Sequence, residues 1–177
     1  MESSAKYLSE KIPLDGEVIL EVGCGEGFFL SLFESSELLA FEPSPEGLEA
    51  KQRGIQVFEE YYQVGKSYDF LPKMIVMRQV LEHLMEPRVY LNSFSELLAK
   101  PEGYIYIEVP SGAATKSNAR FQDLYYEHYG HYTPASLALL MEATGFDVIE
   151  CGQTLEGEVI SVLAKARKLS QAELRFE

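Results

Sequence analysis

Three glycines recur at every second position, Gly23, Gly25 and Gly27, directly after an apolar run. A carboxylate, Glu21, stands just before them, and a second one, Glu42, follows about 20 residues later. Glycine lets a ligand approach the main chain closely and permits positive φ. A carboxylate at the Glu42 spacing can accept hydrogen bonds from both hydroxyls of a ribose. The pattern therefore suits a nucleoside cofactor. The spacing is GxGxG rather than the dinucleotide GxGxxG, with Phe28 where a third glycine belongs, and that argues against a pyrophosphate cofactor such as NAD. Further along the chain lie three histidines, His83, His128 and His131, the last two within a tyrosine-rich stretch. A histidine that titrates near neutrality suits proton removal from a nucleophile.

These residues need a sheet edge to bring them together. The runs 17–22, 38–43, 55–60, 73–80, 103–110, 146–152 and 159–166 read as strands. Helices are expected over 28–36, 44–54, 86–100 and 133–145. Ser44 and Pro45 are placed as N-cap and first residue of the second, with Thr133 and Pro134 serving the fourth in the same way. Such alternation predicts one α/β domain, a mostly parallel sheet with helices on both faces. Ligands of such sheets sit beyond the carboxyl ends of the strands. Glu21–Gly27, Glu42, Phe58–Tyr62, Arg78–Leu84 and the segment from Pro110 onward all fall there.

Composition narrows the partners. The 177 residues are 46% hydrophobic and 24% charged, as in a globular protein with a real core. The formal charge of -13 repels a phosphate backbone, so nucleic acid is disfavoured. Cys24 and Cys151 stand far apart with no CxxC spacing, which indicates neither a disulfide framework nor a metal site. No apolar run is long enough to span a membrane and no signal-peptide core is visible, so the expected setting is the cytoplasm. A monomer or homodimer acting on a small molecule is expected.

"VILEVGCGEGFFL" together with "AFEP" resembles the first motif and the acid after strand 2 of class I S-adenosylmethionine-dependent methyltransferases. The resemblance spans roughly residues 15–165, and it implies a Rossmann-like, seven-stranded, mostly parallel sheet with an antiparallel last strand and helices on both faces. It implies that Glu21 orients the amino-acid end of the cofactor, that Gly23, Gly25 and Gly27 pass beneath it, and that Glu42 holds the ribose. Phe58, after strand 3, falls where that family packs residues against adenine. "RQVLEHLMEP" is similar to a segment that faces the methionine half of the cofactor in small-molecule methyltransferases, which implies cofactor contacts from Arg78 and Gln79 and substrate contact from His83. "DLYYEHYGHYTPASLALLMEATGFDV" resembles a substrate-side segment of sugar C-methyltransferases, and related patterns occur in quinone O-methyltransferases. The resemblance implies His128 as a candidate base with Tyr125 as its assistant, and Tyr129 and His131 toward the substrate. Because His131-Tyr132 stands where the motif has Tyr-Phe, His131 is a second candidate for the base. The acceptor atom stays open, as do two alternatives: a methyltransferase acting on protein, and a non-catalytic regulator that keeps the fold.

Overall fold

The computed structural model describes residues 1–112, 128–154 and 157–168. Seven strands form one sheet: β1 (Val18–Val22), β2 (Glu37–Phe41), β3 (Gln56–Phe58), β4 (Met74–Arg78), β5 (Tyr104–Pro110), β6 (Phe146–Thr154) and β7 (Val159–Ala166). Their order is β3-β2-β1-β4-β5-β7-β6. The first five are parallel, as the alternation predicts, and β7 runs antiparallel between β5 and β6, as the family resemblance implies. The order reverses at β1, whose Val22 pairs with Phe41 on one side and with Met77 on the other. A crevice therefore opens beyond the carboxyl ends of β1 and β4.

Side chains alternate across the sheet, and each face is covered. On one face Leu20, Ile75 and Ile107 pack with Leu91, Phe94 and Leu98 of α3 (Pro87–Ala99) and with Leu137 and Met141 of α4 (Pro134–Ala143). On the other, Ile19, Met74 and Val76 pack with Ala5, Leu8 and Ile12 of the α1 region (helix Glu2–Lys11) and with Ala50 of α2 (Gly47–Gln52). Helix α1 was not expected, although its buried positions 5, 8 and 12 follow a helical stripe.

Two expected helices are shorter than their sequence suggests. Only Leu30–Leu32 of the 28–36 segment coils, as a single 3₁₀ turn. Glu37 must lie beside Val18 to begin β2, and the amides of Gly16 and Glu37 bond to the carbonyls of Ser35 and Glu17, so the chain has to double back there. Burial of Phe29, Leu30 and Phe33 is achieved by the one turn. Helix α2 starts at Gly47 rather than at Ser44-Pro45: the chain first makes a tighter turn, with the Gly47 and Leu48 amides on the Ser44 and Pro45 carbonyls at 3.2 and 3.1 Å, although Ser44 Oγ does accept from the Glu46 amide at 3.3 Å as a cap would. The start of α4 is as expected: Thr133 Oγ1 accepts from the Ser136 amide at 3.1 Å, and Ser136 Oγ accepts from the Thr133 amide at 2.9 Å.

Candidate functional site

The glycine turn leaves β1 with Gly23, Gly25 and Gly27 all at positive φ, 74°, 54° and 74°. Two of the three are required by packing. A Cβ on Gly23 would lie 2.5 Å from Val80 Cγ2, and one on Gly27 would lie 2.5 Å from Ile55 Cδ1 and 2.7 Å from Ala50 Cβ. Gly25 differs: a Cβ there would meet only Glu46 Oε2, at 3.3 Å. Its open side is the cradle. Phe28, at the place of the third dinucleotide glycine, turns outward and lies 5.7 Å from the Arg53 guanidinium, which itself donates to the Glu26 carbonyl at 3.0 Å.

Glu42 closes the cradle from the end of β2. Its carboxylate accepts from the Gly25 amide through Oε2 at 2.8 Å and from the Ser44 amide through Oε1 at 2.9 Å. The side chain is fixed without a cation. A carboxylate has about four lone-pair sites, so two amides leave acceptor capacity for a ligand's hydroxyls.

Beneath the turn a polar cluster occupies the α1 face of the sheet. Glu21 is buried to 1% exposure, and its Oε2 has no hydrogen-bond partner among the described residues. Burial pushes its carboxyl up to about 8, against the pull of Arg78. Arg78 pairs with Glu108 Oε2 at 2.7 Å and lies 4.3 Å over the Phe29 ring, while Tyr106 Oη donates to Glu108 Oε1 at 2.7 Å. The sequence places Arg78 among cofactor contacts; the structure places it in this ion pair. Glu108, Tyr106 and Phe29 were not anticipated. The acid within the apolar run "YIYIEVP", in register with Arg78, was the available signal.

Gln79 has φ of 54°, unusual for a residue with a Cβ, and its amide bonds to the Glu108 carbonyl at 2.8 Å. Gln79 is exposed and directly follows the last residue of β4. Phe58 stacks on Phe41 at 4.9 Å and neighbours Phe70 at 5.9 Å, within an aromatic group that also holds Tyr62 and Tyr68.

The second half of the site joins the 3₁₀ turn Leu81–His83 to the segment before α4. The Gly130 amide donates to the Glu82 carbonyl at 3.0 Å. The His83 and His128 rings meet edge to face at 4.6 Å, with His131 6.3 Å beyond. His83 and His131 are exposed, His128 is half-buried, and Tyr129 points outward at 61% exposure. Glu82 is 1% exposed, and its Oε2 has no hydrogen-bond partner among the described residues. Tyr132 is buried and bridges to Ser111. Tyr125 lies outside the described residues.

A glycine cradle with a ribose-spaced carboxylate, at the switch point of a sheet ordered 3-2-1-4-5-7-6, defines a nucleoside-cofactor protein of the doubly wound class. The methyltransferase-domain family model matches residues 2–151. The chain belongs to that family, as a class I S-adenosylmethionine-dependent methyltransferase domain. It is 28% identical over 151 residues to the C-methyltransferase NovU of Streptomyces niveus, a match covering 80% of this chain and 36% of the relative. It is also 28% identical over 114 residues to a ubiquinone biosynthesis O-methyltransferase of Xylella fastidiosa, covering 57% of this chain and 45% of that protein. The chain thus spans less than half the length of these curated relatives. In fold it matches N-methyltransferase NodS from Bradyrhizobium japonicum, solved with S-adenosyl-L-homocysteine, at a TM-score of 0.68 and 17% identity over 93% of this chain and 85% of that one. No helix among the described residues is long and apolar enough to cross a membrane.

Proposed function

We propose that the chain transfers a methyl group from S-adenosylmethionine to a small polar acceptor. The observation that carries this reading is the Glu42 clamp, which spans the Gly25 and Ser44 amides beside the one glycine of the three in the turn whose Cβ position is nearly open. When bound, the cofactor supplies a methyl group made electrophilic by its sulfonium.

The residues present fit that group. Glu42 would take the ribose hydroxyls, and the Gly23–Gly27 main chain would lie under the adenosyl and methionine portions. The unpartnered Glu21 oxygen offers an acceptor to a cationic amino-acid end. Gln79, held at the crevice end of β4, adds a polar group there. Phe58 is committed to aromatic packing, so the reading does not rest on it.

In direct displacement the acceptor's lone pair forms the new bond to carbon as the sulfur–carbon bond breaks, and the acceptor's proton must leave. The histidines before α4 are where that proton would go, to His128 or to the exposed His131 6.3 Å beyond it, and exposed Tyr129 would meet the acceptor. The names of the two curated relatives favour a small molecule over a macromolecule, and the charge of -13 disfavours nucleic acid.

Calorimetry tests the cofactor half. S-adenosylmethionine and S-adenosylhomocysteine should bind one per chain and NAD should not; preference for NAD would overturn the reading. S-adenosylhomocysteine release on a panel of hydroxylated acceptors tests the transfer half, and binding without turnover would favour a regulator.

A further inference from the structure

We infer that Glu82, His83 and His128 hold a divalent transition-metal ion beside the cofactor crevice. One ligand atom from each residue, a carboxylate oxygen and two imidazole nitrogens, lies within 4.8 Å of the others. In a four-coordinate site with metal–nitrogen bonds of about 2.1 Å, neighbouring ligand atoms are about 3.4 Å apart. Contraction of roughly an ångström, supplied by a change of rotamer at His83, closes the set.

A second, independent observation points to a cation. Glu82 Oε2 is buried with no hydrogen-bond partner among the described residues, which costs free energy unless something electropositive meets it. Each imidazole has two nitrogens, so one can ligate while the other keeps a hydrogen bond that fixes its orientation. The two loops are already tied by the Gly130 amide on the Glu82 carbonyl at 3.0 Å. Two imidazoles and one carboxylate select ions of the zinc, cobalt, nickel and ferrous class over magnesium or calcium.

Three protein ligands with an exposed histidine on one side leave coordination positions open. Val80, which touches the position of a Gly23 Cβ, links this loop to the glycine turn. An oxygen-bearing acceptor is the class of ligand suited to the open positions. That last assignment rests on the methyltransferase reading; binding of the ion does not.

The test uses the untagged full chain, stripped with chelator and desalted. Zinc uptake is followed by elemental analysis and chelator competition, and cobalt uptake by visible absorption. One zinc per chain is expected, with at least tenfold weaker binding in Glu82→Gln and in His83→Ala, the latter at an exposed position. Metal-free unfolding curves check that both variants fold. Cys151→Ser should bind as the wild type. The proposal is overturned if the wild type retains no zinc, if both variants bind like the wild type, if Cys151→Ser loses the ion, or if magnesium competes equally. Cofactor calorimetry on the stripped chain is read separately, so failure of the metal site leaves the methyltransferase reading standing, and the reverse.

Discussion

Glu42 and Glu21 are both buried acids, yet their surroundings give them opposite tasks. Glu42 has an amide on each oxygen, so it stays a fixed acceptor. Charge-assisted hydrogen bonds contribute about 1.5–3 kcal/mol each. Loss of the pair to the two ribose hydroxyls in Glu42→Ala should therefore weaken S-adenosylmethionine binding by at least about a hundredfold by calorimetry; an unchanged affinity would remove Glu42 from the ribose. Glu21 has burial against it and one unmatched oxygen, and its carboxyl is raised to about 8, so it is largely protonated at pH 7. A cationic ligand beside it favours the ionised form and lowers that value. Binding near pH 7 should then release a proton, visible as a binding enthalpy that changes with the buffer's ionisation enthalpy. Glu21→Gln should abolish that dependence. The same dependence in the variant would show that Glu21 does not face the cofactor's charge.

At the scale of elements, the turn between β1 and β2 divides its glycines between packing and ligand. Gly27→Ala drives a Cβ into Ala50 and Ile55 at a positive φ, so the α2 side has to move. Overpacking and the left-handed backbone together predict a loss of about 2–4 kcal/mol in denaturant unfolding. Gly25→Ala has nearly open space and should lose about 1 kcal/mol from its φ, yet suffer more in cofactor affinity. Equal stability losses in the two variants would contradict this division. These elements also show what the sequence makes legible. Strands β1, β4 and β5 read clearly because apolar runs end at a glycine, a polar cluster or a proline, and the Gly25–Glu42 pairing follows from motif spacing. The Arg78–Glu108 pair depends on the register of β4 against β5, and the meeting of Glu82 with His128 depends on two loops packing. Neither is encoded in local periodicity. The overlong helix expected at 28–36 has the same origin: local pattern favours coiling, but the pairing of Glu37 with Val18 decides where the chain turns.

The whole molecule combines a formal net charge of -13, most of it on exposed acids, with the buried Glu21 carboxyl beneath the switch point, and these answer differently to salt. Net repulsion among exposed acids is screened over about 8 Å at physiological ionic strength. Glu21, beneath the sheet's switch point, is shielded from solvent ions. Its folded value of about 8 lies above the ordinary 4.5, so the folded chain holds a proton that the unfolded chain gives up between those two pH values. Its contribution to stability is therefore full below pH 4.5 and declines as pH rises to about 8. The thermal midpoint of the cofactor-free chain should fall over that window by more than it does in Glu21→Gln. Added salt should raise both curves through surface screening and leave the difference between them almost intact. A difference that disappears in salt would assign the effect to surface charge, and Glu21 would then be ionised and solvated rather than a buried, neutral carboxyl waiting for a cation.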